Sequence, residues 1–281
     1  MNAAENSSYF FAGEQIANFQ LIHPLRIRTL SESWYAVKRR DGSPAAIKFL
    51  RREHPRIPQF YDMADFLMRH RSPFLIAVLE CAETAQQMPY AAMEYATGGT
   101  LRQRLGKGRI LPLAEAVRLL RSMLLALDVL HRGGIVHRDV KPENIWFAAD
   151  GAPRLGDFGL AKLPNFPEES GKVFGTAAYM SPEQAQDSTT VDCRSDLYSL
   201  ALVLFEALTG KRFRPKNSFP DTLKQILSDR SEPPVELLRE AATEKLALLL
   251  GRMMEYSAAL RPRSAAEALA ELDAMSLPVG E

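Results

Sequence analysis

Apolar residues change their period part-way along this chain. Up to about Met93 they come in short runs of strand character: Phe19–Leu25, Ser33–Lys38, Ala45–Leu50, Leu75–Cys81 and Tyr90–Met93. Arg40-Asp41-Gly42-Ser43 separates two of them and predicts a hairpin turn, because Asp-Gly supplies the positive φ of a tight reversal. One helical segment, Gln59–Arg69, interrupts the strands, with Pro58 suited to a first turn. After Tyr95 the period lengthens. In Leu113–His131 the apolar positions Val117, Leu120, Leu124, Leu127 and Leu130 form one stripe of helical spacing. Ser195–Leu208 repeats the pattern and ends at Gly210, a C-cap signal. Ser264–Met275 opens with serine and has Glu267 three residues on, which predicts a capping box. The pattern predicts a small β-rich lobe, then a larger helical one, with a hinge near Glu94–Gly99.

Composition narrows the class without choosing a function. The 281 residues are 46% hydrophobic and 25% charged, with a net charge of +1. That balance suits a globular protein and gives no sign of nucleic acid or an anionic membrane as partner. Cys81 and Cys193 are the only cysteines, so neither a disulfide framework nor a zinc site is implied, in keeping with a reducing, cytoplasmic setting. Met1–Phe19 lacks the basic region and apolar run of a signal peptide. The longest apolar stretch, Leu197–Leu208, is too short to cross a bilayer.

Chemistry is concentrated in His137-Arg138-Asp139-Val140-Lys141-Pro142-Glu143-Asn144. A carboxylate, a lysine and an amide stand on one short loop, and a second carboxylate follows in Asp157-Phe158-Gly159. Phosphoryl transfer needs such groups: an acceptor to orient a hydroxyl, a cation for the moving phosphate, and oxygen ligands for a metal. These residues resemble the catalytic loop and magnesium loop of the protein kinase family. The resemblance runs from about Phe19 to Met275, and its dialect is similar to bacterial kinases of eukaryotic type.

The resemblance implies an α+β, bilobal protein kinase fold, with residues 1–18 as an N-terminal extension, 19–95 and 96–275 as the two lobes, and 276–281 as a tail. It implies ATP and Mg2+ as cofactors and a protein substrate with a serine or threonine acceptor. A homodimer or a regulatory partner stays open. Asp139 would orient the acceptor hydroxyl, Lys141 would neutralise the γ-phosphate, and Asn144 and Asp157 would hold magnesium. Ala46-Ile47-Lys48 is similar to the strand whose lysine meets the phosphates. Met93-Glu94-Tyr95-Ala96 resembles the hinge, with Met93 as gatekeeper, while the Glu94 carbonyl and Ala96 amide face adenine. Lys141 and Thr176 match the serine/threonine class, and Ser181 replaces the usual alanine of the docking segment. Asp196 and Arg261 stand where the family anchors its larger lobe, with Arg261 expected to pair with Glu183.

Three departures bear on function, and a question of activation stands beside them. The segment matching the glycine-rich loop has none: Arg26, Arg28 and Ser31 stand at the glycine positions. The arginines either meet phosphate by charge or point to solvent. Met63 occupies the place of the glutamate that partners the lysine, with Asp62 and Asp65 rotated off that face by roughly 100° or more. Ser33 replaces a valine above the adenine and Trp146 a leucine below it, so the slot is either repacked or filled by Trp146. The resemblance implies a negative partner for Arg138, either phosphorylated Ser170 or the built-in acids Glu168 and Glu169. Three functions follow: an active kinase with a degraded phosphate clamp, a pseudokinase scaffold, or a nucleotide-binding conformational switch. Retention of Lys48, Asp139, Asn144 and Asp157 favours catalysis.

Overall fold

A computed structural model describes residues 8–166, 171, 173–214, 218–228, 230 and 233–275. The chain divides into two compact units, one ending at Thr97 and the other beginning at Gly98. The first is an antiparallel sheet in the order β1-β2-β3-β4-β6-β5, comprising β1 (Gln15–Ile16), β2 (Phe19–Arg28), β3 (Ser31–Lys38), β4 (Pro44–Leu50), β5 (Val78–Glu83) and β6 (Pro89–Glu94). Helix α1 (Ile57–Arg69) packs on β5. Sheet pairing begins at Gln15, so part of the segment before Phe19 belongs to this unit. β5 starts at Val78 rather than Leu75, because Leu75 and Ile76 bury themselves in the connection from α1.

Alternation along the strands decides what each sheet face does. Ala45, Ile47 and Phe49 of β4 are buried and join Leu21, Trp34, Ala36, Tyr90 and Ala92 in one apolar cluster, to which Phe10, Ile16 and Phe19 contribute from the N-terminal side. Ala46 and Lys48 therefore look the other way. Gly42, at φ +71°, makes the β3–β4 reversal, and Asp41 Oδ1 accepts from Ser43 N at 2.9 Å.

The second unit is mostly helical: α2 (Leu101–Arg104), α3 (Leu113–Arg132), α4 (Pro182–Gln186), α5 (Cys193–Thr209), α6 (Phe219–Ser228), α7 (Val235–Ala241), α8 (Glu244–Met253) and α9 (Ala265–Asp273). A short ribbon of β7 (Ile145–Phe147) and β8 (Pro153–Leu155) accompanies them. The apolar stripe of α3 is buried, and α3 packs against α5, α9 and β8. α5 is buried almost all round and ends at Gly210 in the left-handed conformation. Among the described residues no helix is long and apolar enough to cross a membrane. The capping box at α9 is only half formed. Ser264 accepts from Glu267 N at 3.1 Å, but the Glu267 carboxylate turns back to Arg263, taking its N–H at 2.8 Å and its Nε at 3.0 Å. The arginine charge outcompetes the neutral N–H of Ser264.

Candidate functional site

In the first unit, strand register brings the expected nucleotide residues onto one sheet face. Arg26 pairs with Ser33, Ser33 with Lys48 and Lys48 with Ala91; one row on, Tyr35 pairs with Ala46 and Ala46 with Met93. Directly paired residues share a face. Arg28, two residues beyond Arg26, pairs with Ser31 on that face, and both arginines are exposed. The segment expected as a loop is continuous hairpin instead, with only Thr29 and Leu30 between the strands. With a Cβ on every residue, the backbone settles into β pairing where glycines would leave it open. A register shift between Pro24 and Arg26 sets Leu25 apart as a bulge.

Burial first, then the charges of Lys48 and Arg56, hold the His54 imidazole below its ordinary pKa. Met63 is buried with Ala64 and Leu67 on the inward face of α1. Asp62 is exposed and Asp65 accepts from Arg69 Nε at 2.9 Å, so neither acid replaces the missing glutamate on that face. Glu94 is held through both backbone and side chain: its N–H donates to Ala77 O at 2.9 Å and its Oε1 accepts from Ala77 N at 3.1 Å. Ala96 is buried close by in sequence.

The second unit assembles the other half of the chemistry. Asp196, at the N-terminus of α5, accepts from His137 N and Arg138 N at 2.8 Å each and from His131 Nε2 at 2.9 Å. Burial pushes its carboxyl up, but the His131 hydrogen bond and the charges of His131 and His137 outweigh it and hold the pKa below the ordinary value. This anchor fixes a strained corner. Arg138 has φ +63°, and Gln184 Nε2 donates to its carbonyl at 2.7 Å. Such a conformation costs about 1–3 kcal/mol in a residue with a Cβ, so the surrounding contacts must hold it. Gly175 is required here: at φ +123°, a Cβ would lie 2.5 Å from Gln184 Nε2 and 2.9 Å from Arg138 O.

On that corner Asp139, Lys141, Asn144 and Thr176 come together. Lys141 Nζ lies 2.6 Å from Asp139 Oδ2 and donates to Thr176 Oγ1 at 2.7 Å, while Thr176 donates to Asp139 Oδ1 at 2.8 Å. Asn144 Nδ2 donates to the Asp139 carbonyl at 2.8 Å and to Oδ2 at 3.0 Å. That arrangement spends the amide's N–H groups on Asp139 and leaves Oδ1 to act as a ligand. Gly156 N donates to Asn144 O at 2.9 Å, which ties the Asp157 loop to the same place, and Asp157 adopts φ +58°. A carboxylate and a carboxamide oxygen are the hard donors that Mg2+ takes, the rest of its shell coming from waters and phosphates. The residues fit that ion.

Trp146 is half-buried on β7, across from Arg154 and bridged to Thr100. The Arg138 guanidinium donates to Leu160 O at 2.8 Å and lies over the Phe174 ring, 5.3 Å from the centroid. Its expected partners, Glu168, Glu169 and phosphorylated Ser170, lie outside the described residues. Arg261 meets Glu183 as the resemblance implies, with nitrogens 2.7 and 3.0 Å from the two carboxylate oxygens. Two features escaped the sequence reading. Glu32 is a buried carboxylate in β3. Arg102 joins Glu143 and Glu206, each at 2.7 Å. Neither carries a clear local signal, since most partners of each lie far away in sequence.

A catalytic-type loop braced on a buried aspartate, following a six-stranded unit with a lysine-bearing strand, defines a protein kinase domain. The protein kinase domain family matches residues 29–271, and the chain belongs to it. The chain is 39% identical over 176 residues to serine/threonine-protein kinase PknB of Mycobacterium leprae, covering 59% of this chain and 28% of that protein. It is 37% identical over 193 residues to PknB of Mycobacterium tuberculosis, covering 65% of this chain and 31% of that one. A probable serine/threonine-protein kinase PknB of Bifidobacterium longum is 33% identical over 221 residues, covering 73% and 32%. The chain therefore spans about a third of these relatives' length.

Proposed function

We propose that this chain is a serine/threonine protein kinase that transfers the ATP γ-phosphate to a hydroxyl of a protein substrate in the cytoplasm. The triangle of Asp139, Lys141 and Thr176 carries the reading. Asp139 accepts the proton of the acceptor hydroxyl, and the threonine hydroxyl and lysine ammonium keep its carboxylate oriented. Lys141, already within reach of that oxygen, neutralises charge on the γ-phosphoryl group as it moves. Asn144 Oδ1 and Asp157 would hold Mg2+, which supplies charge neutralisation across the phosphates. Lys48, Arg26 and Arg28 take the phosphates, with Ser33, Ala46, Met93, the Glu94 carbonyl, the Ala96 amide and Trp146 assigned to the adenine. Positioning and charge account for the catalysis, with no covalent step on the protein.

Purified protein incubated with γ-labelled ATP and Mg2+ should label a generic acceptor on serine or threonine, and Asp139→Asn should not. Tight Mg2+-dependent ATP binding without transfer would replace the enzyme with a nucleotide-binding module.

A further inference from the structure

Glu32 is the one acid in the core-facing row of β3 that continues with Trp34 and Ala36, and it is only 2% exposed. A buried carboxylate persists only where donors replace water. Here most come from the beginning of the chain. Ser8 Oγ donates at 2.6 Å, Tyr9 N at 2.9 Å and Trp34 Nε1 at 3.1 Å. Arg51 brings its guanidinium to 4.0 Å from the same carboxylate and lays it over the Tyr9 ring, 4.3 Å from the centroid. Phe10 then turns inward and stacks on Phe49 with centroids 4.0 Å apart.

The other ends of these contacts lie on the arginine hairpin. Glu32 pairs with Ile27, the residue between Arg26 and Arg28. Arg51 N donates to the carbonyl of Leu30 at the hairpin tip, at 3.0 Å. One face of the hairpin end carries the arginines, and the opposite face is held by residues 8–10.

We propose that Ser8, Tyr9 and Glu32 form a latch that fixes the β2–β3 hairpin from behind and so sets Arg26 and Arg28 for the nucleotide phosphates. Ser8 and Glu32 are positioning residues. The inference rests on the reading of the two arginines as phosphate contacts. Glycine-loop amides meet phosphate because the backbone itself comes close; long side chains meet it only when the strand beneath them is held in place.

The test measures ADP release against ATP concentration for the full chain, for Ser8→Ala, for Glu32→Gln, for Arg26→Ala with Arg28→Ala, and for that pair combined with Ser8→Ala. Each latch variant should raise the KM for ATP about fivefold, in line with loss of one hydrogen bond, and leave kcat within about twofold. In the arginine-free background Ser8→Ala should change KM no further, because coupled residues are non-additive. Ser8→Ala removes a single hydroxyl from a partly exposed residue, and a circular-dichroism melt checks that each variant folds. Unchanged KM in both latch variants, or fully additive effects, overturns the latch. Wild-type KM in the arginine pair also overturns it while leaving the kinase reading intact; absence of transfer by the wild type would overturn that reading instead.

Discussion

The hydroxyl of Thr176 donates to Oδ1 of Asp139 at 2.8 Å, so a residue of the docking segment holds the carboxylate proposed as proton acceptor. Lys141 bridges the pair from the other oxygen. Thr176→Val keeps the shape and removes the donor. Its kcat for a peptide acceptor should fall by about tenfold, with KM for ATP unchanged, whereas Asp139→Asn should cost a factor of roughly a hundred or more. Steady-state kinetics with varied peptide and varied ATP separates the two. A Thr176→Val enzyme with wild-type kcat would remove the hydroxyl from the mechanism.

Asp157→Asn tests the metal pair. It should abolish transfer and flatten the Mg2+ dependence of ATP binding, since a neutral amide is a poorer ligand for a hard dication than a carboxylate. Calorimetric titration of ATP at several Mg2+ concentrations reads this directly. Undiminished metal dependence in the variant would move the site away from Asp157.

Met63 is buried on the inward face of α1, in the place where the family carries the acid that meets the strand lysine. Met63→Glu should raise kcat/KM for ATP about fivefold, the worth of roughly 1 kcal/mol for an ion pair with Lys48. Met63→Gln, equal in length and uncharged, should not. Equal behaviour of the two variants would rule out an ion pair with Lys48 as the source of any gain.

Glu183 and Arg261 make stability depend on pH. Burial pushes the Glu183 carboxyl up, but the hydrogen bond and charge of Arg261 outweigh it and leave the pKa below the ordinary 4.5. A depressed carboxylate contributes stability that is present above 4.5 and is lost as pH falls through its folded value. Glu183→Gln strands the fully buried Arg261 guanidinium. At pH 7 it should cost about 3 kcal/mol. The difference from wild type should shrink as pH is lowered beneath 4.5. Urea unfolding at pH 7 and pH 3.5 measures both; a gap that stays constant between them would mean that folding does not lower the Glu183 pKa.

Legibility followed locality. The β-to-helix change of period, the Asp-Gly reversal, the stripe of α3 and the glycine ending α5 are fixed by neighbours in sequence and were readable there. Asp139, Lys141 and Asn144 sit within a few residues of one another, so the loop declared itself. The arginine hairpin was misread as a loop because its family counterpart is glycine-rich, whereas side-chain-bearing residues form strand. The capping box at α9 failed for a similar reason, since the pattern does not weigh Arg263 as a rival for Glu267. Glu32 was invisible because its meaning lies in Ser8, Tyr9 and Arg51, which no periodicity links to it.

Asp196 makes the second unit's local geometry depend on distant chain. One carboxylate at the start of α5 takes the N–H groups of both His137 and Arg138, and without it the strained corner before Asp139 has no reason to persist. The shape of the Asp139 loop therefore depends on a helix that begins more than fifty residues downstream. A chain in which α5 has not docked carries the residues of that loop without the hydrogen bonds that set their geometry.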